Sequence, residues 1–176
     1  MVGSNEFSHI VKLDEIGAGA SKMSLSADLE ARSGLVTRFH LAALDSLDAD
    51  LAVSRDAKGV LAIGRIRATL SQHCVATGDR VPAIINEPMV IHFVQEPAFG
   101  AGTEIELEAD DCDIMFYDGQ SVDLGEAVAQ TLGLTLDPYP RSPDARARLK
   151  AVGVKAEDEV EPVGALAGLK DLLAKK

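Results

Sequence analysis

The fifteen residues from Val60 to Cys74 alternate between apolar and polar almost without a break, and they restrict the fold of this chain more than any other stretch. Val60, Ala62, Gly64, Ile66, Ala68, Leu70 and Cys74 take one side. Arg65, Arg67, Thr69, Ser71 and His73 take the other. A two-residue period describes a strand with one buried and one wet face, because successive side chains point to opposite sides of a sheet. A partner follows directly. Gly78-Asp79 makes a turn, and Val81 to Gln95 returns as a second strand. Pro82 and Pro88 lack an N–H, which places that strand at a sheet edge or at bulges.

Further elements gather around this hairpin. Phe7 to Leu13 and Met23 to Leu25 read as strands, and Leu41 to Arg55 as another, interrupted by Asp45, Asp48 and Asp50. Gly17-Ala18-Gly19 lacks a following Lys-Ser/Thr and reads as a turn, not a phosphate loop. Ser26 or Asp28 opens a helix to about His40, with Leu29, Arg32, Leu35, Val36 and Phe39 near its inner face and Gly34 weakening it. Ile105 and Leu107 alternate with Glu104, Glu106 and Glu108, which suggests a strand with an acidic outer face. Ile114 to Tyr117 is a short apolar segment before the Asp118-Gly119 turn. In Ser121–Arg141, Asp123 can cap a helix while Glu126 reaches back, as in a capping box. Leu124, Ala127, Val128, Thr131 and Leu132 share one face of that helix, and Pro138 and Pro140 stop it. Arg141 to Pro162 is charged and proline-containing with few large apolar residues, so it reads as a flexible linker. Leu166, Leu169, Leu172 and Leu173 then line one side of a short helix.

Nearly half of the 176 residues are hydrophobic, enough for a core, and the absence of tryptophan makes that core aliphatic. No apolar run approaches the ~20 residues of a membrane helix. Met1 to Ser8 has no basic region leading into an apolar stretch, so a cytoplasmic address is expected. Two distant cysteines make no disulfide framework. The net charge of −11 is unevenly distributed: Val81 to Pro140 holds twelve acids and no lysine or arginine, which leaves the remainder near neutral. Such a field repels phosphate backbones and attracts basic partners.

The candidates for chemistry are few. His73 and Cys74 are adjacent on a strand and point to opposite faces, so they are poorly placed to share a proton. Zinc needs about four convergent ligands, and Cys74 to Cys112 matches no ligand spacing. The acids at 104–113 lack the alternating Asp-x-Asp-x-Asp-Gly loop of a calcium site. No metal or cofactor is therefore expected. Arg65, Arg67 and Arg80 could contact RNA phosphates, with Arg65 and Arg67 on one face and Arg80 near them across the hairpin. No aromatic platform interleaves them.

Asp123-Leu-Gly-Glu126, the leucines ending in Leu134 and Leu136, and Asp137-Pro-Tyr-Pro140 resemble the signature of the YceD family. Gly59 to Val81, with Gly64, Cys74 and Thr77, is a second similar piece, and Gly164 to Lys176 resembles the family's tail. Two positions depart from the pattern. Thr77 stands where many members close a Cys-x-x-Cys, and Gln130 stands where a glutamate is usual. This bacterial family, with plastid relatives, is named for the accumulation of large-subunit ribosomal RNA. The resemblance implies a non-catalytic factor supporting large-subunit rRNA accumulation and ribosome biogenesis. The acidic middle favours a basic ribosomal protein or the assembling subunit as partner, with Asp123, Glu126 and Tyr139 at the rim of the binding groove. Direct rRNA binding through a basic sheet face is the alternative, and a nuclease-like enzyme a distant one. The expected fold is α+β: a mainly antiparallel sheet, open to partial barrel-like curvature, with two main helices and a flexible C-terminal tail. Residues 1–140 would form the domain, 141–162 the linker and 163–176 a short amphipathic helix.

Overall fold

The computed structural model describes residues 5–95, 114–117 and 119–155. The alternating segment is the central strand of a five-stranded sheet. In chain order the elements are β1 (Ile10–Lys12), β2 (Ser21–Ser26), α1 (Leu29–Arg38), β3 (Ala43–Arg55), β4 (Val60–His73), β5 (Arg80–Gln95), β6 (Ile114–Tyr117), β7 (Ser121–Asp123), α2 (Leu124–Thr135) and α3 (Ala145–Ala151). The large sheet runs β2-β3-β4-β5-β6, antiparallel except for β6, which lies parallel to β5. β1 and β7 form a separate antiparallel pair. The fold is α+β and mainly antiparallel, as expected. The large sheet is open, and its strands do not close into a barrel among the described residues.

Parity sets which side chains enter the core. Leu47, Ala49, Leu51 and Val53 of β3 face inward beside Ala62, Ile66, Ala68 and Leu70 of β4. Asp48 and Asp50 fall on the opposite parity, so β3 tolerates them on its outer face. Asp45 sits at a bulge between Leu44 and Ser46, and its carbonyl accepts a hydrogen bond from Arg32. Pro82 and Pro88 lie on the part of β5 that, among the described residues, has no neighbour on the side away from β4, since β6 covers only His92 to Gln95. Six residues apart, they share parity, and one register turns both nitrogens toward that free edge.

Both helices cover the inner face of the sheet. α2 buries Leu124, Ala127, Val128, Thr131 and Leu132, the face expected from spacing. α1 keeps most of its expected face, with Leu35 buried and Arg32, Val36 and Phe39 half-buried, and departs from it at Leu29. It buries Ala31 and Leu35 while Leu29 is exposed, because Leu29 opens the helix directly after the Asp28 cap, which accepts the Ala31 N–H at 2.8 Å. Gly34 has a packing role: a Cβ there would stand 2.7 Å from Glu6 Cβ. Gly125 repeats this on α2, where a Cβ would stand 2.7 Å from both the Phe7 carbonyl and the His9 nitrogen. The glycines of two helices thus admit the N-terminal segment between them. That segment pairs as a strand only over Ile10–Lys12, shorter than the expected 7–13, because side chains capture residues 5–9.

A further difference lies after Pro140. The expected linker holds a helix, α3, in a run of good helix formers (Ala145, Arg146, Ala147, Arg148, Leu149, Lys150). Ala145 is buried, which fixes its start against the domain. The expected strand at 104–108 and the expected helix at 163–176 lie outside the described residues.

Candidate functional site

Asp123 and Glu126 form a node that joins three parts of the chain. One Asp123 oxygen takes the His9 N–H at 2.8 Å and the Glu126 N–H at 3.1 Å. The other takes the Ser8 hydroxyl at 2.8 Å and the Asn5 amide at 3.0 Å. Partial burial pushes this carboxyl up, and the four donors together outweigh it and hold it below the usual carboxylate range. Glu126 does not complete the capping box; its carboxylate turns instead to Arg38, with contacts of 2.7 and 2.8 Å. The Arg38 guanidinium holds Glu126 below its ordinary range, against partial burial, and Glu126 raises Arg38 in return. Gln130 donates to Glu126 at 2.9 Å. A glutamate at position 130 would place a second carboxylate there. Tyr139 is separate from the node: its side chain is exposed, and only its backbone N–H is engaged, by Asp137 at 2.9 Å.

The two pieces that carry the family resemblance meet in space. The turn after β4 receives the Pro-Tyr-Pro exit, with the Val75 N–H on the Pro140 carbonyl at 2.9 Å and Gln72 Nε2 on the Asp137 carbonyl at 2.8 Å. The Ser142 N–H points at Cys74 Sγ from 3.3 Å. Cys74 is buried here, and its thiol is pulled down to about 6, first by the Ser142 N–H and then by the Thr77 hydroxyl, against the desolvation that opposes it. Thr77 Oγ1 also lies 2.8 Å from an Asp79 carboxylate oxygen, so its one proton is shared between sulfur and carboxylate, and Asp79 pairs with Arg148 of α3 at 3.5 Å. A hydroxyl therefore stands where a second sulfur would, and it serves the turn. His73 is exposed, with Nδ1 3.3 Å from the Gly78 carbonyl, on the face opposite Cys74. Among the described residues no three His, Cys, Asp or Glu side chains converge to hold a metal.

The three sheet arginines do not form one patch. Arg65 donates to the Asn86 carbonyl at 2.9 Å, and Arg67 is paired with Asp50. Arg80 lies opposite His73 in the ladder. It shares the outer face of Arg67 but sits six residues away, roughly 20 Å at ~3.3 Å per residue.

Two grooves border this scaffold. One, of about 630 Å³, runs between residues 5–9, the edge strand β2 and α1, and includes Glu6, Asp28 and Glu30. The other, of about 500 Å³, lies along α3 and includes Arg141, Arg146, Lys150 and Lys155. Reading 141–162 as a linker missed this second groove. The available signal was charge: Arg141 to Lys155 carries five cations and one acid in a chain of net −11.

Fold and site together define a small α+β protein whose described motif residues tie the N-terminal segment, α1 and α3 to the sheet. Residues 63–173 match the family model of the large ribosomal RNA subunit accumulation protein YceD, and the chain belongs to that family. No curated protein and no solved structure matches the chain. The match begins within β4, so Arg38 and the N-terminal donors that hold Asp123 and Glu126 lie outside it. Among the described residues no helix is long and apolar enough to cross a membrane.

Proposed function

We propose that this protein supports large-subunit rRNA accumulation as a non-catalytic adaptor that holds a basic ribosomal protein or assembly partner. The observation that carries this reading is the stretch from Val81 to Pro140, with twelve acids and no cation. The groove beside β2 supports it, because Glu30, the Asp28 cap and Glu6, which pairs with Arg38, border a cleft next to a strand edge that is unpaired among the described residues. An extended basic segment could use both the charge and the edge. In this reading Asp123 and Glu126 shape the rim from inside, and Tyr139 presents its ring to the partner. A cytoplasmic site of action accompanies the proposal.

A tagged pull-down from cells at low and moderate salt, scored for RNA and protein together, tests it. The expected result is enrichment of a basic ribosomal or assembly protein that survives nuclease treatment and weakens with salt. Recovery of RNA alone, with every protein lost after nuclease, would overturn the adaptor reading.

A further inference from the structure

We infer that the groove along α3 is a binding site for the phosphodiester backbone of RNA, held by Arg141, Arg146, Lys150 and Lys155. Arg146 and Lys150 are four residues apart, so they share one face of α3, about 5–6 Å between Cβ atoms. Arg148 falls on another face and is taken by Asp79, which anchors the helix to the β4–β5 turn. The helix therefore divides its cations: one fastens it and two line the groove. Arg141 precedes the helix and Lys155 follows it, and both line the same groove. Arg141, Arg146 and Lys155 make no hydrogen bond or ion pair among the described residues, and all three are exposed. No carboxylate among the described residues lines the cleft.

The floor identifies the ligand class. It is built from small and aliphatic side chains, Leu149 and Val154 among them, with no aromatic ring. Base stacking is therefore not offered, and sequence-independent contact to phosphates is. Acidic peptides are recognised by Arg clusters of the same kind, so the polyglutamate arm of the test below separates the two ligands. Flexible cations around a shallow cleft gain from counterion release, which a phosphate backbone supplies. This site stands on its own geometry and does not require the protein-partner reading. A chain with an acidic stretch for a basic protein and a basic groove for RNA would hold both components of an assembling particle.

The test is fluorescence anisotropy of the full chain with a labelled single-stranded RNA of mixed sequence, titrated between about 50 and 200 mM salt. Phosphate contacts from Arg141, Arg146 and Lys155 predict a slope of log affinity against log salt of about −2, at roughly −0.7 per contact on a single strand. The variant Arg141→Gln/Arg146→Gln/Lys155→Gln should weaken binding at least ~10-fold at low salt and flatten the slope by about 2. Arg65→Gln/Arg67→Gln, on the sheet face, should leave both unchanged. Circular dichroism checks the fold of each variant, and the single change Lys155→Glu, beyond the helix, gives the same direction if the triple variant is misfolded. An unchanged affinity in a folded α3 variant would overturn the assignment. So would a polyglutamate peptide that binds the groove more tightly than RNA of equal charge.

Discussion

The helices on either side of the Pro-Tyr-Pro exit use charge in opposite ways. At the start of α2, Asp123 and Glu126 are surrounded by donors from Asn5, Ser8, His9 and Arg38, contacts that span up to 118 residues of sequence. Along α3, Arg141, Arg146 and Lys155 face solvent. Both regions look equally charged on paper. What separates them is burial: α2 rests on the core with Leu124, Val128 and Leu132 fully buried, whereas α3 buries only Ala145. A charge beside a core must find partners within the fold. A charge on a helix that buries one small side chain stays available to another molecule.

The largest effect is expected at the foundation of α2. Leu132→Ala should lower stability by about 2–5 kcal/mol in denaturant unfolding, since Leu132 is fully buried. A loss below ~1 kcal/mol would remove the contrast, because α2 would then be no better anchored than α3. Next comes Gly125→Ala. Its methyl group would press on the backbone of Phe7 and His9, which cannot rotate away, and the expected cost is about 1–3 kcal/mol despite the better helix propensity of alanine. Stabilisation by this change would show that the N-terminal segment is not seated against α2.

Asp123→Ala should cost about 1–2 kcal/mol, the usual loss of a helix cap, and should also free residues 5–9 to faster amide exchange. The same node predicts a pH dependence. The folded-state pKa values of Asp123 and Glu126 are both depressed, so their contribution is complete above the ordinary carboxylate range and is lost as pH falls through the lower folded values. Stability should therefore fall below about pH 4, and Glu126→Gln should make that acid limb shallower. The α3 triple variant should leave it unaltered and change neutral-pH stability by less than ~0.5 kcal/mol. An acid limb that responds to α3 but not to Glu126 would reverse the comparison.

The smallest effect concerns the turn between the two regions. In a Cys112→Ser background, thiolate absorbance should titrate with a midpoint of about 6, and removing the Thr77 hydroxyl as Thr77→Val should move it upward. A midpoint at the ordinary thiol value would mean that Ser142 does not hold the sulfur.

Much of this was readable from residue order. The parity of β4, its return through Gly78-Asp79 and the buried face of α2 are local patterns, and local patterns survive folding when the core agrees with them. The node was not readable. Asp123 and Glu126 invite a surface reading until Asn5, Ser8, His9 and Arg38 come into place, and those donors are remote in sequence. Leu29 misled because it opens α1 at the Asp28 cap, where its side chain is exposed while Leu35 further along the helix is buried. The α3 groove was hidden by composition, since a short charged segment between prolines reads as unstructured until Ala145 and Arg148 are seen to fasten it.

The pairing of β1 with β7 also governs the order in which the fold can be finished. Ile10 meets Asp123 across the ladder, so β1 has no partner in that ladder until β7 has left the ribosome. The β3–β4–β5 hairpins can form during that interval, because their contacts are local. Val11, buried in the finished protein, stays without its ladder partner Val122 until that strand emerges. The motif that marks the family thus also completes the β1–β7 ladder, and until it has been synthesised β1 is an unsealed seam.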